Sequence, residues 1–198
     1  MAVTPEEWTL ETIRKFINTN DIDKGTDQFS TIDGFSAWLL ENRLAKGRSM
    51  ITKDDLRLFV DLREGLRALT MMNSGMTPQE GALRRLEEIS AKQNLRLVVS
   101  IDGLIHSVPE GEGVVRLASW ALLEVYRSMV DRTWFRLKVC KNDACLWAFY
   151  DRSRNYSGKW CSMSECGNKM KARRFLSKTR RRETQGSLTR VRGSRGRA

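Results

Sequence analysis

Residues 140–166 read CKNDACLWAFYDRSRNYSGKWCSMSEC and contain every cysteine of the chain. Cys140 and Cys145 form one close pair, Cys161 and Cys166 form a second, and fifteen residues separate the two pairs. This spacing is typical of a tetrahedral Zn²⁺ site, because each short loop gathers two thiolates and the insert brings the pairs together. We therefore predict that these four cysteines bind one structural zinc ion.

Two other uses of the cysteines stay open at this point. Disulfides are disfavoured in a cytosolic chain, since that compartment keeps thiols reduced. An iron–sulfur cluster usually takes three closely grouped ligands, which these two pairs do not offer.

The residues around the cysteines predict a β-hairpin followed by a helix. The stretch CLWAFYD is strand-like, GKWCSM returns as a second strand, and RSRNYSG is a polar turn between them. Cys145 would then lie at the hairpin entry and Cys161 at its exit. Ser164 and Glu165 indicate a helix start, which places Cys166 in the first turn. The arrangement resembles a treble-clef zinc finger.

Positive charge is concentrated in the same third of the chain. Residues 132–198 contain 19 Lys or Arg and four acidic residues, whereas residues 1–131 contain 16 and 20. A basic segment on a nearly neutral body favours a polyanionic partner, most often nucleic acid. A solvated or membrane-surface tail is the alternative for such a segment.

The helix after Cys166 sorts its residues by type. Ala172, Phe175, Leu176 and Thr179 are spaced as one stripe, which we expect to pack on the finger or the main domain. Basic residues lie on both sides of that stripe and are the candidate nucleic-acid contacts. They are Lys169, Lys171, Arg173, Arg174, Lys178, Arg180, Arg181 and Arg182.

The rest of the chain predicts an α+β fold. Residues 1–131 should form a mainly helical domain with one β-hairpin, whose turn is Asp102-Gly103. Thr52 and Asp55 indicate a capping box at a helix start. Residues 132–183 should form the finger with its basic helix. Residues 184–198 are rich in Gly, Ser and Arg and should be disordered until they meet a partner.

Specific residues of both regions resemble a known family. Cys140, Cys145, Trp160-Cys161-Ser162 and Cys166-Gly167-Asn168 resemble the CGNR zinc finger, and Phe16-Ile17-Asn18-Thr19 resembles the start of the ABATE domain. The resemblance implies a stress-induced bacterial transcription regulator that binds specific DNA sequences. The arginine of the CGNR signature is Lys169 here, which keeps the charge and loses the planar fork of a guanidinium.

We expect a binding protein and no enzyme, with no catalytic or cofactor-binding residues. His106 is the only histidine, and a single imidazole on a strand is more often structural than a catalytic base. Apolar stretches are shorter than the roughly 20 residues of a membrane span. The expected partner is double-stranded DNA, in the cytoplasm and associated with the nucleoid. RNA binding by the finger and ligand sensing by the N-terminal domain, with a small-molecule effector, stay open.

Overall fold

The structure, a computed structural model, describes residues 8–45 and 51–179 of the chain. The chain divides into two compact units, Met1–Lys159 and Trp160–Ala198, and each is described by itself. The described residues are mainly helical and form small antiparallel sheets, which agrees with the predicted α+β class. The tail 184–198, predicted to be disordered, and the candidate contacts Arg180, Arg181 and Arg182 lie outside the described residues.

Helices and strand pairs of the first unit follow one another along the chain. The helices are α1 (Leu10–Ile17), α2 (Ile32–Glu41), α3 (Lys53–Asn73), α4 (Glu80–Ala91) and α5 (Gly113–Val130). The strand pairs are β1 (Asn20–Asp21) with β2 (Thr26–Asp27), β3 (Leu95–Val99) with β4 (Ile105–Pro109), and β5 (Leu137–Val139) with β6 (Ala148–Tyr150). Within the described ranges, no helix is both long and apolar enough to cross a lipid bilayer.

Threonine side chains begin three of these helices. Thr9 accepts a hydrogen bond from the Thr12 amide (3.1 Å) at the start of α1, and Thr31 accepts one from the Gly34 amide (3.1 Å) at the start of α2. At α3 the predicted capping box is confirmed: the Thr52 hydroxyl accepts from the Asp55 amide (3.1 Å), and the Asp55 carboxylate accepts from the Thr52 amide (2.8 Å). Each such bond satisfies an amide that a helix start otherwise leaves without a partner.

An aromatic cluster joins α1, α2 and α3 into one core. Phe16 is wholly buried at its centre, with ring centroids 5.4 to 5.8 Å from those of Trp8, Phe29, Trp38 and Phe59. Edge-on and tilted contacts at such distances stabilise a core beyond the area that they bury. This cluster therefore holds the first three helices of the first unit together.

The pair β1–β2 corrects the prediction of a single hairpin in the N-terminal domain. It is formed in a polar stretch, with Asn20 opposite Asp27 and Asp21 opposite Thr26. The buried guanidinium of Arg63 donates to both carboxylate oxygens of Asp27, at 2.6 and 2.8 Å. A bidentate charge-assisted contact of this kind fixes a segment whose own side chains give no strand pattern.

The predicted hairpin around Asp102-Gly103 is confirmed. Leu95 pairs with Pro109 at one end and Val99 with Ile105 at the other, so the turn comprises residues 100–104. Gly103 has a φ of 82° there, a conformation that glycine adopts without steric cost.

Candidate zinc centre and basic helix

The four cysteine sulfurs lie within 4.8 Å of one another, as a shared metal ion requires. Cys140, Cys145 and Cys166 are buried and Cys161 is half-buried. The sulfurs of Cys161 and Cys166 are 3.7 Å apart, and none of the four cysteines is in a disulfide. Tetrahedral zinc with Zn–S bonds of about 2.3 Å separates its sulfur ligands by about 3.8 Å. The donor set, four sulfurs at this spacing, therefore fits Zn²⁺.

The first cysteine pair lies in the tight loop between β5 and β6. The amides of Cys145 and Leu146 both donate to the Asn142 carbonyl, at 2.8 and 3.1 Å. The Cys140 amide donates to the Trp147 carbonyl at 2.9 Å, which closes the loop. Leu146 has a φ of 49°, in the left-handed region that such a reversal of the chain needs. This backbone turn brings the sulfurs of Cys140 and Cys145 within 4.8 Å of each other.

Side chains of α3 and of Asn18, the residue after α1, hold the β5–β6 hairpin in place. The side chain of Asn18 donates to the Ala148 carbonyl (2.9 Å) and accepts from the Ala148 amide (2.7 Å). The buried guanidinium of Arg67 donates to the carbonyl of Leu146, the residue after Cys145, at 3.0 Å. The end of α1 and the middle of α3 therefore contact the backbone of the cysteine loop directly.

The C-terminal end of α3 holds the other strand of this hairpin. Asn73 donates to the carbonyls of Trp134 and Leu137, both at 3.0 Å. The Ser74 hydroxyl lies 3.0 Å from the Val139 carbonyl, to which it donates, and 2.9 Å from the Val139 amide, from which it accepts. The inward side chains of the hairpin are wholly buried in the same core as the helices: Leu137, Val139 and Ala148.

A buried ion pair joins the two strands of the hairpin to the loop that follows them. Lys138 Nζ lies 2.8 Å from Asp151 Oδ2 and also donates to the Tyr156 carbonyl. The Asp151 carboxylate accepts from the amides of Ser153 and Gly158 as well, both at 2.9 Å. Burial raises the pKa of Asp151, but the hydrogen bonds from Lys138, Ser153 and Gly158 outweigh it and hold that pKa well below the usual carboxyl range.

This ion pair explains why the predicted pairing of the finger hairpin is wrong. CLWAFYD was expected to pair with GKWCSM, whereas β6 pairs with β5, and residues 151–162 contain no strand. The carboxylate of Asp151 gathers the loop around itself. A Cβ atom at Gly158 would lie only 2.7 Å from Asp151 Oδ1, so the close approach needs glycine.

The second cysteine pair lies in the second unit, where a helix begins. The Ser162 hydroxyl accepts from the Glu165 amide (3.3 Å), so Ser162 caps the helix, two residues earlier than the predicted start. A π-helical turn, Met163–Gly167, contains Cys166 and continues into a helix over residues 168–179, named α6 here. Asn168 donates from its side chain to the Ser164 carbonyl (3.1 Å) and so stabilises the turn after the cysteine.

The basic candidates within the described residues all lie on α6. Lys169, Lys171, Arg173, Arg174 and Lys178 are exposed, and residues 168–179 contain no acidic residue. Five positive charges therefore lie within twelve helical positions. Such a helix carries a strong positive potential.

The apolar stripe of α6 is exposed, which corrects the prediction that it packs on the finger or the main domain. Phe175 is 70% exposed and Leu176 is 61% exposed, and Ala172 and Thr179 are exposed as well. The spacing of the stripe predicted a buried helix face, which the exposed fractions of these side chains do not show.

Two regions of the chain match models of known protein families. Residues 12–132 match the ABATE model, described as "Putative stress-induced transcription regulator". The chain belongs to the ABATE family. Residues 136–182 match the CGNR zinc finger model, so both family resemblances of the sequence are confirmed. No curated protein matches this ABATE chain.

The CGNR match and the cysteine geometry together assign one structural zinc to Cys140, Cys145, Cys161 and Cys166. Zinc with four thiolate ligands has no open position for a substrate or water, so its contribution is to hold the fold. The chemistry of the centre is structural.

The supporting residues around the centre were not found from the sequence. Asn18 and Ser74 are ordinary polar residues at helix ends, and their long-range hydrogen bonds depend on the tertiary fold. Lys138 offered one signal, since it stands between Leu137 and Val139 in an otherwise apolar strand. A buried lysine needs a partner, and Asp151 provides it.

Proposed function

We propose that this ABATE protein is a zinc-dependent DNA-binding transcription regulator. The observation that carries the proposal is the exposed basic helix α6, which begins directly after the turn that contains the zinc ligand Cys166. In this proposal the finger has a treble-clef arrangement, with the cysteine loop of β5–β6 as its knuckle and α6 as its helix. The metal fixes the N-terminus of α6, and α6 presents its charge to a duplex.

The charge of α6 supports a nucleic-acid partner on electrostatic grounds. Lys and Arg on one surface release condensed counterions from phosphates, so binding gains free energy and becomes dependent on salt. Lys171 and Arg174 lie three positions apart and therefore on one side of the helix. Arg174 has the fork that can contact a guanine edge bidentately, whereas Lys169, in place of the family arginine, acts as a point charge.

A sensing role of the N-terminal domain is part of the proposal. A cavity of about 210 Å³ lies in the first unit, and its lining includes Glu64, Arg67, Met71 and Leu146. Arg67 donates to the Leu146 carbonyl beside Cys145, so a small-molecule effector in this cavity would act on the backbone of the cysteine loop. Binding of this kind shifts a conformational equilibrium only if the effector prefers one arrangement of that contact.

The proposed partner is double-stranded DNA, and the proposed place of action is the cytoplasm, at the nucleoid. We propose no enzymatic activity, since the zinc is saturated by protein ligands.

Removing two charges of α6 tests which surface binds DNA. Lys171→Ala with Arg174→Ala should weaken duplex binding, by about 1 to 3 kcal/mol if Arg174 reaches a base edge. The slope of log affinity against log salt should fall by about 0.9 for each phosphate that the variant no longer neutralises. Fluorescence anisotropy at several salt concentrations measures both quantities.

The charge-matched control for that pair is Lys24→Ala with Arg84→Ala. These two side chains are 76% and 70% exposed and lie in the first unit, away from the finger sequence. The control should bind as the unmodified protein does. If both double variants lose affinity equally, net charge and not α6 accounts for binding, and the assignment to α6 is wrong.

Competition between nucleic acids tests the class of partner. Duplex DNA selected by the intact protein should displace a labelled duplex at lower concentration than structured RNA of equal length does at the same salt. The wide major groove of B-form DNA admits a helix, whereas the deep, narrow groove of A-form RNA does not. Preference for RNA would replace the DNA assignment by RNA binding through the same finger.

A further inference from the structure

The outer face of the β3–β4 hairpin is aliphatic and exposed. Leu95, Leu97, Val99 and Ile105 share this face, because the register places Val99 opposite Ile105 and strand residues alternate between faces. Ser107 and Pro109, which pair with Leu97 and Leu95, lie on the same face and are half-buried and buried. Leu97 is 73% exposed, Val99 71% and Ile105 67%. Ile101 and Leu104 extend the apolar surface into the turn and are exposed as well. We call these six residues the hairpin patch.

The opposite face of the same hairpin is already used inside the first unit. Val108 packs against the core, and Arg127 of α5 donates to the Ser107 carbonyl at 3.4 Å. On this opposite face Val98 and Val108 are half-buried, whereas Arg96 and His106 are exposed, so the hairpin has apolar residues on both faces and the larger exposed apolar area lies on the hairpin patch. The solvated face of an antiparallel sheet is usually polar, so exposed aliphatic residues on this face are unusual.

The stretches outside the described residues contain few large apolar side chains that could cover the hairpin patch. They are Met1 and Val3 in residues 1–7, Met50 in residues 46–50, and Leu188 and Val191 in residues 180–198. The hairpin patch itself contains no charged side chain, so it offers nothing to a phosphate backbone. Its chemistry suits another apolar protein surface.

The area of the hairpin patch matches that of a stable dimer interface. From the exposed fractions of its six aliphatic residues it presents roughly 700 Å² per copy, close to the 800 Å² per partner of a standard interface. An uncharged aliphatic surface can meet its own copy across a twofold axis without bringing like charges together. Exposed apolar patches of this size mark interaction sites.

We propose that the hairpin patch binds the same patch of a second copy of this chain, forming a twofold dimer. The dimer closes the uncovered face of the β3–β4 sheet. It does not depend on DNA binding, and its test is made without nucleic acid.

Sedimentation equilibrium of the full-length, zinc-loaded protein under reducing conditions tests the dimer. The unmodified protein should be a dimer, and Val99→Lys should raise the dimer dissociation constant by at least about thirty-fold, since a twofold interface buries the new charge twice. The matched control is Val130→Lys, the same exchange at a side chain that is 67% exposed at the end of α5. It should leave the dissociation constant unchanged.

Three outcomes would overturn the proposal. The first is an unmodified protein that is monomeric up to about 100 µM. The second is a dimer that Val99→Lys leaves intact, which would place the interface elsewhere, for instance on the exposed Phe175 and Leu176. The third is equal weakening by Val99→Lys and Val130→Lys. Circular dichroism should show that both variants are folded, because both side chains are exposed in one copy.

Discussion

Cys145→Ser is expected to abolish zinc binding and to unfold residues 163–179, while the helices of the first unit stay folded. Structural zinc contributes on the order of 10 kcal/mol of apparent folding free energy in small fingers. Helix α6 is exposed along nearly its whole length and spans only residues 168–179, a length that is marginal for an isolated helix in water. The metal is therefore expected to be its main source of stability.

Hydrogen exchange with peptide-level resolution, together with zinc content by mass spectrometry, measures this result. Peptides from 163–179 should exchange rapidly in the variant, and peptides from α3 should keep their protection. Ala144→Ser is the matched control, since it adds the same hydroxyl at an exposed position of the same loop. Retained protection of 163–179 in a zinc-free variant would mean that α6 is held by something other than the metal.

Lys138→Met is expected to lower the free energy of unfolding by about 3 to 5 kcal/mol. The side chains of Lys138 and Asp151 are 6% and 2% exposed, so the substitution leaves a buried carboxylate without its cation. Asp151 would keep the amides of Ser153 and Gly158 as donors, which do not neutralise its charge. Urea denaturation, followed by tryptophan fluorescence, measures the change.

The pH dependence of that effect has a definite sign. The pKa of Asp151 is depressed in the folded protein, so its ion pair stabilises above the unfolded pKa of about 3.9, and the stabilisation is lost as pH falls through the lower folded pKa. The defect of Lys138→Met should therefore be largest above about pH 4 and shrink in more acidic solution, as the carboxylate is protonated. Adding Asp151→Asn should recover part of the stability at neutral pH. A double variant as unstable as Lys138→Met would mean that the missing packing of the lysine stem causes the defect.

Local patterns in the sequence were sufficient for the metal ligands and for the start of α3. The spacing of the four cysteines predicted the cluster because ligand loops are short and their geometry is local. Thr52 and Asp55 predicted the start of α3 because a capping box involves residues only three positions apart. The turn at Asp102-Gly103 was found for the same reason.

Long-range partners decided the features that the sequence did not reveal. The strand CLWAFYD could pair with residues on either side of it, and the buried contact of Lys138 with Asp151 selects β5. Arg63 and Arg67 occupy ordinary helical positions in α3, yet both are buried, because Asp27 and main-chain carbonyls accept their hydrogen bonds. Burial of such cations depends on groups up to 79 positions away in the chain.

On α6 the sequence predicted burial that the structure does not have. Ala172, Phe175, Leu176 and Thr179 have the periodicity of a buried helix face, yet they are exposed. Periodicity identifies a face that gains from contact, without identifying the contact. The hairpin patch is a second surface of this kind.

The hydrogen bonds of Asn18, Asn73 and Ser74 with the β5–β6 hairpin make the folding of the finger dependent on the residues that precede it. The match to the CGNR zinc finger begins at residue 136, but Leu137, Val139 and Ala148 are buried in the core built by residues before 132. A fragment that starts at residue 132 would expose these side chains to water and lack the three polar side chains that hold its first two strands. The finger is therefore not an independently folding domain. If the finger segment is duplicated or fused to another protein alone, it should aggregate. The ABATE region and the CGNR zinc finger of this chain are therefore expected to occur together.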